Sequence, residues 1–370
     1  MIIGIDAREI QDGVVTGIGR ALNNYLNYFG SLDDEHRCVL FSERAVAETY
    51  GPRVMAVVAP PQRLTMLWDQ AVLPRLMKKH HIDLFFSPYY KIPVATRVPI
   101  ISTIFDLMYI YYPMKWKGTG PFSKLYYRMF GGIMAAKAHT IFTCSEYSKT
   151  EILKFYGVPA AKVAVILLGL SDRYRRLEGT DAVPAVKRKF SINGAYILYT
   201  GNFKPHKNAA TLIEAFERIR ESVPGLQLVL AGNRDGYFEP IDRRIQASAF
   251  REAIVATGLV DIETQVALYN GASAFVFPSL YEGFGYPPLE AMACGVPVVS
   301  SACTSLDEII GDAAVRCDPR SAVDIAEKTI GVLRDEALRR QCITRGFARA
   351  REFTNEQFCG RLHTLLFSRR

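Results

Sequence analysis

The sequence has no apolar run near the roughly 18 residues that a membrane-spanning helix needs. Its longest, such as residues 163–168 and 226–231, fall far short. No CxxC pair and no Cys/His ligand spacing occurs among its seven cysteines at 38, 144, 294, 303, 317, 342 and 359. That argues against a disulfide framework and a structural zinc site, and the cysteines read as reduced cytosolic thiols. No basic stretch or cleavage site precedes the apolar opening Met1-Ile2-Ile3-Gly4-Ile5, so the expectation is a cytoplasmic chain outside the Sec export route. A dinucleotide fingerprint directly after a strand is missing, as are a Walker loop and a D-x-D metal motif, which removes the commonest nucleotide-binding signatures. The six histidines show no metal spacing either.

What is present is an ordinary soluble-globular balance, 49% hydrophobic and 22% charged over 370 residues. Disordered and fibrous classes are excluded, and the length points to two domains. The net charge of +8 is unevenly spread: residues 1–176 carry 22 Lys and Arg against 14 Asp and Glu, and the rest is balanced. Two readings follow, a solvated basic face or attraction to an anionic surface. Anionic membrane lipid ranks above nucleic acid, because no helix-turn-helix, RNA-recognition or zinc-finger signature accompanies the charge.

Short apolar runs at 2–5, 39–41, 84–87, 100–104, 140–143 and 163–167 alternate with helical patterns, and the alternation restarts at 196–201, 227–231, 253–255, 274–277 and 296–300. The expectation is an α/β protein with two doubly wound, Rossmann-like domains facing across a cleft. The expected bounds are 1–175 and 176–370, with a polar linker at 169–194 and a final helix able to pack back on the first domain. Ligands of open parallel sheets bind beyond the carboxyl ends of the strands.

Residues 277–299 carry the strongest chemical signal. Glu282 stands in a glycine-rich loop after a strand and Glu290 eight positions on, in the first turn of a short helix entered through Pro287 and Pro288 and stopped at Gly295. The main-chain amides of Gly283, Phe284, Gly285, Tyr286, Leu289 and Glu290 make a plausible diphosphate cradle. A weaker signal is Thr16-Gly17-Ile18-Gly19-Arg20. It is either a simple helix-start turn or a place where Gly17 and Gly19 amides meet a phosphate or sugar oxygen.

With these motifs the chain resembles the retaining, nucleotide-sugar-dependent glycosyltransferases of family 4, which have the two-domain GT-B fold. Glu282 to Glu290 matches their E-x7-E motif. Residues 201–208, 230–232, 258–261, 268–269 and 305–309 add to the likeness, and 16–20, 105–107 with Pro113, and 145–149 match more loosely. The resemblance implies that Glu290 accepts hydrogen bonds from the ribose and that Glu282 contacts the transferred sugar. It also places Lys207, helped by Lys204, at the diphosphate, and the base against Gly258, Leu259 and Val260. Without a D-x-D motif, no metal or other cofactor is expected, and lysines and amides must meet the charge developing on the leaving group.

Two departures stand out. Many relatives have His-Asp where this chain has Phe105-Asp106, which leaves Asp106 and the Phe105 main chain for the sugar. Many also have Arg-Lys where it has His206-Lys207, trading a permanent charge for a titrating one. The implied reaction moves a hexose, with mannose from GDP-mannose leading, to a lipid-linked or polysaccharide acceptor at the inner membrane face. The alternatives are a GT-B epimerase or hydrolase, and a non-catalytic sugar-nucleotide-binding scaffold.

Overall fold

The computed structural model describes residues 1–10, 17–46, 49–111 and 123–367, the first five residues of the last stretch by backbone alone. The chain folds as two compact units: Met1–Gly169 with the segment returning at Asn355, and Leu170–Thr354.

Among the described residues the first unit holds strands β1 (Ile2–Asp6), β2 (Arg37–Ser42), β3 (Val54–Val58), β4 (Leu84–Ser87), β5 (Ile100–Thr103), β6 (Thr140–Thr143) and β7 (Val163–Val165). They form one parallel sheet in the order β3-β2-β1-β4-β5-β6-β7. Strands β4, β5 and β6 are buried at every position, as expected for a parallel sheet covered on both faces. The helix Glu146–Tyr156 shows why the local sequence folds as it does. Ser145 accepts from the Ser148 amide at 3.0 Å at its start, and Gly157 takes a left-handed φ of 66° at its end. The terminal helix Asn355–Phe367 packs on the helix Gly17–Ser31, where Asn24 donates to Asn355 at 2.9 Å and the rings of Phe29 and Phe367 stack at 5.9 Å.

The second unit holds β8 (Tyr196–Thr200), β9 (Gln227–Ala231), β10 (Ile254–Gly258), β11 (Ala274–Phe277), β12 (Val298–Ser301) and β13 (Val315–Cys317) among the described residues. These are parallel in the order β10-β9-β8-β11-β12-β13. The order reverses between β8 and β11, the switch point at which such sheets open a crevice. The helix Ala209–Ser222 buries Ala209, Leu212, Ile213, Phe216 and Ile219, the spacing of one helical face.

Two expectations are corrected. The division falls at Gly169/Leu170, not 175/176, while the final helix packs back on the first unit as expected. The Leu170 amide donates to the Phe353 carbonyl at 2.8 Å and Leu170 bridges to Thr354, tying the segment after Gly169 to the second unit. Residues 169–194 are not a linker. Leu177 donates to Asn270 at 2.7 Å, and the segment forms the helix Ala182–Lys189, which buries Val186. Strands β3 and β13 were not expected from sequence.

Candidate active site

The second unit holds most of the expected site residues at the carboxyl ends of β8, β10 and β11. After β8 the chain turns through the short 3-10 helix Pro205–Lys207 and reaches Asn208 in a left-handed conformation at φ 62°. Asn208 donates through Nδ2 to the carbonyls of Pro278 (3.0 Å) and Pro319 (2.6 Å). The His206 carbonyl accepts from the Leu280 amide at 2.7 Å and the Ser279 hydroxyl at 3.1 Å. These bonds stitch the loop after β8 to the loop after β11. Lys207 and Glu282 meet as a result. Lys207 Nζ donates to both carboxylate oxygens, at 2.7 and 2.8 Å, and lies 5.3 Å from the centre of the Phe277 ring. Only 14% of the lysine side chain and 10% of the glutamate are exposed, so water screens this pair little.

Glu290 lies in the helix Tyr286–Ala293, whose entry requires Gly285: its φ is 109°, and a Cβ there would stand 2.5 Å from Leu306. Its carboxylate Oε2 accepts from the Tyr269 hydroxyl at 2.9 Å and from Gln265 at 3.3 Å. Tyr269 also meets the Thr200 hydroxyl at 2.6 Å. Burial, reinforced by the negative charge of Glu290, pushes the Tyr269 phenol well above its ordinary value, so it remains a donor. Sequence reasoning did not assign Tyr269, Gln265 or Thr200 to the site; their contacts to Glu290 span 21 and 25 residues, or pass through Tyr269, and carry no local signal.

The remaining expected residues are placed as follows. Lys204 is half-buried and donates its amide to Asn202 at 3.2 Å. Gly258 has φ 78° at the end of β10, Leu259 is 77% exposed and Val260 is half-buried, so an exposed apolar side chain stands where a base is expected. Gly283 is buried, and Tyr286 is half-buried with its ring 5.1 Å from that of Phe284. Phe284 and Leu289 are core side chains, 5% and 0% exposed, with Phe284 also against Phe353 at 5.8 Å. Only their main chain can serve a ligand. His206 is corrected as well: burial, then the charges of Lys207 and Lys204, push its imidazole down to about 3. It stays neutral in the physiological range and does not supply a titrating charge.

Gly17, Gly19 and Asp106 belong to the first unit. Gly17 opens the helix Gly17–Ser31 with open space around it, and Gly19 is buried. Asp106 accepts from the Met108 amide at 2.9 Å in a turn just beyond β5. The Phe105 ring packs edge-on against Phe142 at 5.4 Å, in an apolar depression with Ile18, Leu22, Thr103 and Phe358. Its carbonyl accepts from Ser148 at 2.8 Å and Cys144 at 3.4 Å, so the main-chain role expected of Phe105 competes with internal bonds. Thr16, Pro113, Lys115 and Lys117 lie outside the described residues, and Lys124 is described by its backbone alone.

Comparison with known proteins places this geometry in context. The sequence profile described as "Glycosyl transferases group 1" matches residues 185–349, and that of "Glycosyltransferase Family 4" matches residues 15–173. The O-antigen chain mannosyltransferase B of Escherichia coli is 34% identical over 221 residues, 59% of this chain and 58% of that protein. A glycogen synthase of Mycobacterium tuberculosis is 31% identical over 208 residues, 55% of this chain and 48% of its own length. The chain thus aligns with less than two thirds of these relatives. In structure, Anabaena Alr3699/HepE, solved in complex with UDP and glucose, superposes with a TM-score of 0.79 at 17% identity, covering 100% of this chain and 99% of that one. WaaG, a glycosyltransferase involved in lipopolysaccharide biosynthesis, gives 0.78 at 14% identity with 100% of both chains covered. At these identities the structural likeness establishes the GT-B architecture.

Proposed function

Because the chain belongs to the glycosyltransferases, with its first half matching family 4 and its second matching group 1, we propose that it transfers a hexose with retention from a nucleoside-diphosphate sugar to a lipid-linked or polysaccharide acceptor. GDP-mannose is the proposed donor, in line with the mannosyltransferases among its relatives. The observation that carries the reading is the mostly buried Lys207–Glu282 pair, whose glutamate stands eight residues before Glu290 on the same loop-helix element. The ribose is assigned to Glu290, the hexose to Glu282 and the diphosphate to Lys207, with Lys204 and the 283–286 main chain as support. Asp106 is proposed to contact a sugar hydroxyl. Attack and departure take place on the same face of the hexose, and Lys207 turns part of its charge from Glu282 to the departing phosphate. A preorganised cation in a poorly hydrated site stabilises such charge far more than it would in water.

Thermal unfolding against a panel of UDP-, GDP- and ADP-sugars tests the reading. GDP-mannose should raise the midpoint most, since a ligand at about 100 times its Kd stabilises by about 2.7 kcal/mol. Product analysis then separates the classes: a glycosylated acceptor for a transferase, a new sugar nucleotide for an epimerase, free sugar for a hydrolase, none for a scaffold.

The reaction is proposed to need no divalent metal, because Lys207 and the amides meet the leaving-group charge. The rate should stay within about twofold of its starting value in excess EDTA. Loss of activity on chelation, restored by magnesium or manganese, would contradict this assignment.

The basic first half is proposed to dock on anionic lipid at the cytoplasmic membrane face. No helix among the described residues is long and apolar enough to cross a membrane. The helix Ser123–Lys137 nevertheless exposes Met129 (56%), Phe130 (40%) and Ile133 (54%), with Arg128 and Lys137 also exposed. Apolar side chains suit the interface, and each Lys or Arg near it adds about 1 kcal/mol. In vesicle sedimentation the protein should prefer phosphatidylglycerol-rich to neutral vesicles and release as salt rises. Charge reversal at Lys115, Lys117 and Lys124 should weaken this while nucleotide affinity holds; salt-independent binding, or equal binding to both vesicles, would refute docking.

A further inference from the structure

Among the described residues four non-glycine residues have positive φ, and Thr304 is the one β-branched residue of the four. At φ 58° and ψ −132° it occupies backbone that glycine adopts freely and threonine does not. Thr304 precedes the short helix Ser305–Ile310, where a threonine ordinarily earns its place by capping, yet its side chain makes no cap hydrogen bond. Its hydroxyl is turned to another segment. Oγ1 accepts from the Glu282 amide at 3.0 Å, and its proton is shared between the carbonyls of Cys303 at 2.6 Å and Glu282 at 3.0 Å. Ser305 adds a bond from its own hydroxyl to the Glu282 carbonyl at 2.8 Å. The peptide groups on both sides of Glu282 are thus gripped by a loop 22 residues away, while the Glu282 carboxylate is gripped by Lys207.

We infer that Thr304 is a positioning residue: its hydroxyl, held inward by a strained backbone, fixes Glu282 at the spot from which it meets the transferred sugar. The strain persists because glycine would relieve it but could not supply the hydroxyl, and such over-determined strain gathers at functional sites. The inference rests on the proposed transferase reading for its catalytic consequence but not for the grip itself.

The test compares Thr304→Val, which keeps branching and volume without the hydroxyl, with Thr304→Ser, which keeps the hydroxyl. Amide hydrogen exchange at Glu282, turnover, and nucleoside-diphosphate affinity are read in each. Thr304→Val should speed exchange at Glu282 and lower kcat at least about tenfold, on the scale of a small misplacement of a reacting group, with the Kd for GDP within about twofold of wild type. Thr304→Ser should restore both exchange and kcat. Thr304→Gly, which accepts the backbone without strain, makes the same comparison if the valine variant does not fold, and should be well folded yet slow. Wild-type exchange and turnover in Thr304→Val, a serine variant as impaired as the valine one, or a loss of GDP affinity matching the loss of kcat would overturn the assignment. Should the wild type transfer no sugar, the transferase reading fails, and the exchange rates alone decide whether Thr304 grips Glu282.

Discussion

Lys207→Ala should lower turnover by about a hundredfold or more, the scale of removing one preorganised charge-stabilising group, and should also destabilise the fold. The second effect follows from the structure. Lys207 holds both oxygens of Glu282, and the two side chains are 14% and 10% exposed. Removing one member of a mostly buried pair leaves the other charge uncompensated, at about 3 kcal/mol or somewhat more. Urea unfolding reads that term and steady-state kinetics the other. The double variant Lys207→Ala/Glu282→Gln removes the stranded charge, so it should regain most of the stability and none of the turnover. Turnover returning together with stability would show that Lys207 acts only as a structural partner of Glu282.

Glu290→Ala should weaken binding of the free nucleoside diphosphate by about 1.5 to 3 kcal/mol, the range for hydrogen bonds to a charged group, measured by calorimetric titration. Folding should survive, because the Tyr269 hydroxyl that loses Glu290 keeps Thr200 at 2.6 Å. Tyr269→Phe removes the bond that orients the carboxylate and leaves the carboxylate in place. Its effect should be smaller, about 0.5 to 1.5 kcal/mol. Wild-type affinity in Glu290→Ala would refute the ribose assignment.

Much of the architecture is legible in the sequence because buried parallel strands read as short apolar runs between turns. The strands that escaped are at sheet edges: β3 leaves Met55 and Val58 exposed, and β13 is three residues long. The domain division escaped for a different reason, since the bond from Leu170 to Phe353 joins residues far apart in the chain. In the site, the Glu282 to Glu290 spacing is local, set by one glycine loop and one proline-entered helix, and it can be read directly. The Lys207–Glu282 pair spans 75 residues, and sequence alone offers its members without their meeting. His206 shows the limit for charge: its neighbours and type suggest a titrating group, while burial 3% from full enclosure suppresses the charge. Thr304 shows the limit for conformation, because nothing in Cys-Thr-Ser announces a backbone suited to glycine.

Transfer of a hexose from a nucleotide to an acceptor with retention, as proposed, is recorded in the anomeric configuration of the first product. The protein is incubated with GDP-α-mannose and a lipid-linked glycan acceptor, and the new linkage is read by NMR before further turnover. Retention gives an α-mannosyl product; a β-mannosyl product excludes retention, and mannose appearing only as free sugar or as an altered sugar nucleotide excludes transfer itself.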